Sequence, residues 1–271
     1  MNVEGVIFVG GSGRSGTTLI CELLDIHPDV AALFEVWTLI TLLHYLKEDR
    51  APNTALDELN RDNLEFSLSP VSEYNWRICK EEATYAWSQK VKATLAGGEP
   101  LAVAIRQWAD YLHRLQMTRD GSRRIVHKTP ALAAYLPEIW RLWPTGHFLH
   151  MIRDPRDVIA SYLVQDWGPT TIQEGVDWYC GRVGPAIEHG RGDPRYLEVT
   201  LESLAERPRE ILDDIQRWAG LAPETERMLT QMYVRPQAVN HRRDQLDQAS
   251  SRWIFQEVAA RIPALARLYR P

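Results

Sequence analysis

Cysteine is rare in this sequence: Cys21, Cys79 and Cys180 are the only three among 271 residues. The number is odd, the spacing wide and the surroundings apolar and periodic. The three cysteines fit buried thiols in a reducing compartment better than a disulfide frame or a cysteine-ligated metal centre. Metal-ligand spacing is missing among the eight histidines as well, since neither H-x-x-x-H nor C-x-x-C occurs, so no metal is expected. There is no surplus of positive charge. Lys and Arg number 31 against 36 Asp and Glu, a formal net charge of −5. Nothing global draws such a chain to nucleic acid or anionic lipid, and any anion site has to be local. Long apolar runs are missing too. The longest, Leu33 to Leu46, is broken by Glu35 and His44, which argues against a membrane span. Met1 to Gly5 is too short for a signal peptide ahead of the first strand. A cytoplasmic protein is the expectation, and its oligomeric state is not readable from the sequence.

Bulk composition is ordinary. Hydrophobic residues make up 45% and charged residues 25%, as in a soluble globular protein, and the length suits one α/β domain with helical insertions. Ten tryptophans exceed the usual share. Most read as core or helix-packing residues, with Trp37 as the one placed near a bound acceptor.

One stretch is specific. Val6-Ile7-Phe8-Val9 reads as a short buried strand, Gly10-Gly11-Ser12-Gly13-Arg14-Ser15-Gly16 as a glycine-dense loop, and Leu19, Ile20, Leu23 and Leu24 as the apolar side of a helix. Strand, glycine loop and helix together aim backbone N–H groups and a positive helix end at an anion, usually a phosphate. From Gly11 the pattern is G-x-x-x-x-G-T-T, a P-loop except that Thr17 stands where an NTP-binding loop has its lysine. Arg14, inside the loop, supplies the positive charge instead. A phosphate-bearing nucleotide with a different transferred group is indicated.

The remaining chain alternates strand and helix patterns. Strands are expected at Ala31 to Phe34, Arg124 to His127, His147 to Ile152 and Tyr196 to Val199. Helices are expected at Gly16 to Ile26, Trp37 to Leu46, Pro70 to Leu95, Pro100 to Met117, Leu132 to Trp143, Thr171 to His189, Pro208 to Ala219, Pro223 to Tyr233 and Trp253 to Tyr269. A further helix opens at Asp154, an N-cap candidate followed by Pro155 at the first helical position, with Asp157 three residues after the cap. Residues 47 to 68 look irregular, residues 234 to 252 look like a polar loop, and residues 47 to 118 as a whole read as a helical insertion over the sheet within a single 1–271 domain. The fold class expected is α/β, a three-layer sandwich around a central parallel sheet. Ligands of such sheets bind beyond the carboxyl ends of the strands. Arg14, Glu35, Lys128 and Arg153 each follow the end of a different strand, which points to one site. Each also has a plainer reading. Ser15, Thr17 and Thr18 suit helix capping, Lys128 a solvated lysine before a turn, and Arg153 an ion pair with Asp154 or Asp157. Glu35 and Ser161 alone say little.

Taken together, these motifs resemble the sulfotransferases that use 3′-phosphoadenosine 5′-phosphosulfate (PAPS) and release the bisphosphate PAP. The stretch Gly13-Arg14-Ser15-Gly16-Thr17-Thr18-Leu19, with Leu24-Asp25-Ile26-His27-Pro28-Asp29-Val30, looks most like the tyrosylprotein sulfotransferase branch and its bacterial relatives. The resemblance implies that the loop binds the 5′-phosphosulfate. It implies that Arg153, in Arg153-Asp154-Pro155-Arg156-Asp157, and Ser161, eight residues later, hold the 3′-phosphate. Lys128, in His127-Lys128-Thr129-Pro130, matches a lysine near the transferred sulfuryl, and Glu35 falls on the glutamate that acts as general base. It covers residues 5 to 36 and 124 to 220.

Departures from the branch bear on the acceptor. Trp37 replaces an arginine of the basic clamp for acidic peptides, and Val36, Thr38 and Leu39 are uncharged. This favours a small aromatic, sugar-bearing or lipid-like hydroxyl acceptor over the alternative, a protein tyrosine. The family's R-Y-E-D-L segment appears as Thr200-Leu201-Glu202-Ser203-Leu204. Its R-K-G-x-x-G lid is absent, with Arg242 and Arg243 as the residues to take part of that role. Two other classes stay open on sequence alone: an ATP-dependent P-loop kinase of small alcohols, which needs Mg²⁺, and a non-catalytic nucleotide-binding scaffold.

Overall fold

Five short strands form a sheet in the order β2-β3-β1-β4-β5, every neighbouring pair parallel. They are β1 (Ile7–Gly11), β2 (Val30–Phe34), β3 (Arg124–Lys128), β4 (His147–Ile152) and β5 (Tyr196–Thr200). The computed structural model describes residues 5–61, 87–230, 232 and 242–269. β1 and β2 are buried at every position, as expected of strands covered on both faces, which read as unbroken apolar runs.

Strand alternation sorts these side chains into two cores. Ile7 and Val9 face α1 (Thr17–Asp25), joined by Phe34, Val126, Leu149 and residues from further along the chain. Phe8 faces the other way, with Leu33 and Ile125, toward α2 (Trp37–Lys47) and α5 (Leu101–Asp120). In chain order the helices between are α3 (Pro52–Arg61) and α4 (Ala93–Ala96), then α6 (Leu136–Leu142), α7 (Pro155–Tyr162), α8 (Ile172–Gly190), α9 (Leu201–Glu206), α10 (Pro208–Ala219), α11 (Thr225–Leu229) and α12 (Gln248–Arg261). A third core joins α7, α8 and α12 through Ile159, Tyr162, Tyr179, Val183, Ile254 and Val258.

Several boundaries depart from the sequence expectations, for local reasons. The helix expected over Leu132 to Trp143 is a 3-10 segment, Pro130–Tyr135, followed by α6. Pro137 lacks an N–H and crowds the carbonyl four residues back, so it can begin a helix but not continue one. The closing helix begins five residues earlier than expected, where Asp247 accepts from the Ser250 N–H at 2.8 Å. It stops at Arg261 because Pro263 pushes Ile262 out of helical backbone, to φ −130° and ψ 77°. α3 occupies part of the stretch expected to be irregular, and Pro52 at its first position is pre-set for a helix. α9 was not expected at all, yet Thr200 caps it through the Ser203 N–H at 3.0 Å. The helix expected over Pro70 to Leu95 lies outside the described residues except for a π-helical turn, Trp87–Lys92, and α4. Of the loop expected over 234 to 252, residues 234–241 likewise fall outside them.

Candidate active site

The site begins with the register of the sheet. Phe34 pairs with Lys128 across β2 and β3, so Glu35 and Lys128 reach the carboxyl rim together. The Glu35 N–H donates to the Lys128 carbonyl at 2.5 Å, and the Val36 N–H donates to Thr129 Oγ1 at 3.1 Å. These bonds turn the chain sharply and hold Glu35 at φ 50°. Its carboxylate then meets the Lys128 ammonium, Nζ to Oε1 2.5 Å. Lys128 is fully buried. It also donates to Thr18 Oγ1 at 3.1 Å and lies 5.4 Å from the Phe34 ring centroid. A lysine carries three ammonium donors, and two are committed here.

The glycine loop lies between β1 and α1. Gly13, Arg14 and Gly16 have φ of 79°, 55° and 86°, a run of left-handed backbone that curls successive N–H groups toward one point. No side chain caps α1, whose Ncap is Gly16, so its first-turn N–H groups are left for an external acceptor. The Ser15 hydroxyl is buried with no partner among the described residues. A side chain at Gly16 would strike Leu201 Cδ1 at 2.7 Å, and one at Gly13 would collide with the Tyr162 hydroxyl. An uncapped helix end, an orphaned hydroxyl and an excluded Cβ together fit a phosphate or sulfate group.

Arg14 Nε donates to Ser161 Oγ at 3.0 Å, and Arg153 Nη1 donates to the Arg14 carbonyl at 3.0 Å. The structure thus brings Arg14, Arg153 and Ser161 to one corner of the cradle. Burial draws the Arg153 guanidinium below the usual arginine range, opposed by the charges of Asp157 and Glu202. Arg243 lies beside this corner, near enough for its charge to act on Arg153. Its backbone N–H, Nε and Nη2 reach Asp157 at 2.8, 3.1 and 2.9 Å, and Nη1 reaches Asp154 at 3.1 Å. Asp154 is the N-cap of α7, accepting from the Arg156 N–H at 2.9 Å, as its position in the sequence predicts. Its carboxylate also pairs with Arg156, not with Arg153. Trp37 opens α2, half-buried and two residues from Glu35.

Other contacts around the cradle were not legible in the sequence. Tyr162 donates to the Ser12 carbonyl at 2.6 Å and Arg182 to the same oxygen at 3.3 Å. Tyr179 donates to the Arg153 carbonyl at 2.9 Å, and Glu202 accepts from the Asp154 N–H at 3.0 Å. Tyr162 and Tyr179 read as apolar-face residues in their helices, and nothing in one sequence marks their hydroxyls. Cys21 is buried near Lys128, and desolvation raises its thiol well above the ordinary range, which makes it an inert core residue. Cys79 lies outside the described residues. Among the described residues no helix is long and apolar enough to cross a membrane.

A parallel α/β sheet with a P-loop cradle that lacks the NTPase lysine defines a class of enzymes that handle phosphate- or sulfate-bearing nucleotides. Within that class the chain belongs to the sulfotransferase family, whose model it matches over residues 6–226. The ATP-dependent kinase is thereby set aside. Among curated relatives, a putative protein-tyrosine sulfotransferase of Caenorhabditis briggsae is 32% identical over 81% of this chain and 67% of its own length. The nodulation protein NoeE of Sinorhizobium fredii is 25% identical over 80% of this chain and 50% of its own length. The chain thus spans from half to two thirds of the length of these relatives. Among solved structures, the sulfotransferase domain of the Synechococcus PCC 7002 olefin synthase superposes with a TM-score of 0.63 at 20% identity, covering 100% of this chain and 96% of that one. Mouse sulfotransferase SULT7A1, solved in complex with PAP, gives a TM-score of 0.51 at 11% identity over 99% and 88%. These two likenesses are of fold.

Proposed function

We propose that the protein transfers the sulfuryl group of PAPS to a hydroxyl of a small-molecule acceptor, with Glu35 as general base. The single observation that carries this reading is the Glu35–Lys128 pair, 2.5 Å apart and bonded to Thr18 in the first turn of the cradle helix. It sets a proton acceptor and a cation side by side next to an anion site. PAPS supplies an activated sulfuryl group whose leaving oxygen sits on a phosphate.

The backbone N–H groups of Gly13 to Thr18 and the Ser15 hydroxyl hold the 5′-phosphate end, and Arg153 with Ser161 holds the 3′-phosphate. Glu35 takes the proton of the acceptor hydroxyl, a role worth roughly 10²–10⁴-fold in rate. Arg14 and the third ammonium proton of Lys128 bind the sulfuryl and bridging oxygens as charge gathers on them. Sulfuryl transfer resembles phosphoryl transfer, in which positioning and charge stabilisation dominate. The transferred group carries less charge than a γ-phosphate, so this scheme requires no metal. Arg243 serves the site indirectly, through its hold on Asp154 and Asp157 at the start of the helix that carries Ser161.

The test is turnover of labelled PAPS by Glu35→Gln with PAP affinity measured in parallel. The expected result is a loss of at least about 100-fold in turnover with PAP binding retained. Wild-type turnover would remove Glu35 from the chemistry. A protein-tyrosine acceptor is the second reading, favoured by the name of the Caenorhabditis briggsae relative and opposed by the uncharged Val36-Trp37-Thr38-Leu39. Parallel assays with phenols, sugars, lipid alcohols and a tyrosine peptide separate the two.

A further inference from the structure

Three cations around the cradle have carboxylate partners: Lys128 has Glu35, Arg156 has Asp154, and Arg243 has Asp157, while Arg14 and Arg153 are the pair assigned above to the nucleotide and sulfuryl group. Arg182, on α8, has no carboxylate partner. It donates to the Ser12 carbonyl, lies over the Trp178 ring at 4.0 Å from the centroid, and forms no ion pair with any described carboxylate. Burial lowers its pKa, and the facing groups that oppose this are the phenols of Tyr162 and Tyr135. A shielded guanidinium with no counter-charge is costly, and stacking on an indole leaves the edge of its planar fork open to an anion.

A second observation comes from the loop after Ser161. Val164 and Trp167 are 54% and 62% exposed, two of the three exposed large apolar side chains among the described residues. Trp167 meets Tyr162 edge-on at 5.6 Å between centroids, and Tyr162 lies 5.7 Å from Trp178. An aromatic strip therefore runs from solvent to Arg182. Its middle ring, the buried Tyr162, abuts the cradle. Tyr162 packs against Gly13 of the cradle, and Gly13 faces Pro130 two residues beyond Lys128. Flat apolar surface ending in an unmatched cation suits a ring that bears an anionic group.

We propose that Trp167, Trp178 and Arg182 form an acceptor subsite for a small hydroxylated aromatic that carries a negatively charged group. The ring rests on the tryptophans and the anion on Arg182. This rests on the sulfuryl-transfer reading, because the hydroxyl of the same molecule is the one presented to Glu35. It also reopens anionic acceptors, which the loss of a clamp arginine at Trp37 had disfavoured, through a cation on a different element.

The test compares 3-(4-hydroxyphenyl)propanoate with its primary amide, two isosteres that differ in charge, by calorimetric titration of the protein with and without saturating PAP. The acid should bind at least about 10-fold more tightly than the amide. Arg182→Gln should abolish that preference without weakening PAP, and Trp167→Ala should weaken acid and amide by a similar factor. The exposed position of Trp167 makes the second variant safe for folding. Equal affinity of acid and amide, or a preference that survives in Arg182→Gln, would overturn the subsite. So would loss of PAP binding in that variant, which would assign Arg182 to the nucleotide, or capture of an acidic tyrosine peptide in place of the small acid. Failure of the wild-type protein to bind PAP counts against the donor reading instead, and the acid–amide comparison without nucleotide then decides the subsite by itself.

Discussion

Two charge clusters stand on the same rim of the sheet and are built differently. At the start of α7, Asp154 and Asp157 are fully buried and take Arg156 and Arg243 through several bonds each, with further bonds from backbone N–H groups. That cluster is closed, and every charge in it has a partner. At the ends of β2 and β3, Lys128 and Glu35 share one short bond, with a third ammonium donor left over and the carboxylate partly open. Saturation fixes structure, whereas an incomplete set of partners leaves something for a substrate to complete. The same contrast appears in the backbone. Arg14 and Glu35 are two of three described non-glycine residues with positive φ, a conformation that costs roughly 1–3 kcal/mol and concentrates at functional sites.

The comparison can be broken or sharpened by mutation. The largest effect expected is on chemistry at the open cluster. Lys128→Ala should reduce turnover by about 10²-fold or more while PAP still binds, as for Glu35→Gln. A Lys128→Ala enzyme with ordinary kcat would dissolve the distinction. Next comes the closed cluster, where Asp157→Ala removes three bonds to Arg243 and leaves its contact with Asp154. Removing one partner of a fully buried ion pair costs about 3–5 kcal/mol; the partial exposure of Arg243 and its Asp154 contact keep the loss below that, and denaturant unfolding would register it as a lower midpoint. Loss of activity with unaltered stability would instead move Asp157 into the reaction.

Smaller is the effect of Arg153→Ala. It should weaken PAP by about 1.5–3 kcal/mol, the range for a hydrogen bond to a charged group, and should weaken AMP, which has no 3′-phosphate, far less. Smallest at neutral pH, and growing only below it, is the effect of titration, which sharpens the view that rim and core are electrostatically separate. His113 Nε2 and His127 Nδ1 share a hydrogen bond of 2.9 Å in the core. Burial drops His113 to about 3 and holds His127 well below the ordinary histidine value. His150, bonded to Tyr196 at 2.6 Å, falls to about 4. These groups bind protons more readily unfolded than folded. Their neutral burial is therefore free of penalty above about pH 6.5 and becomes costly as pH falls, by up to about 1.4 kcal/mol per histidine per pH unit. Unfolding free energy should be level at neutral pH and decline below about 6.5, less steeply in His150→Phe. A flat profile down to pH 4 would contradict the neutral buried state.

Much of this was readable in the chain. β1, the glycine loop and α1 follow from the Val6–Leu24 pattern, because strand alternation, left-handed glycines and helical spacing are local properties. The gathering of Arg14, Glu35, Lys128 and Arg153 on one rim follows from parallel topology alone. What stayed hidden depends on tertiary contact. Arg243 reads as a residue for the nucleotide, and the sequence does not reveal its bonds to Asp154 and Asp157, 89 and 86 residues away. Tyr162 shows a helix-face periodicity that reveals its ring and conceals its hydroxyl on Ser12. Arg182 has no motif around it, and only the fold shows that it pairs with no carboxylate among the described residues. The helix breaks at Pro137 and Pro263 were legible in principle, since each proline forbids continuation of the helix through it.

The most direct measurement is a crystal structure of the protein with PAP. The account predicts the 5′-phosphate on the N–H groups of Ser15 to Thr18, the 3′-phosphate on Arg153 and Ser161, and the Lys128 ammonium facing the 5′ end beside Glu35. PAP bound away from the glycine loop, or bound there with Arg153 and Ser161 out of contact with its 3′-phosphate, would contradict it.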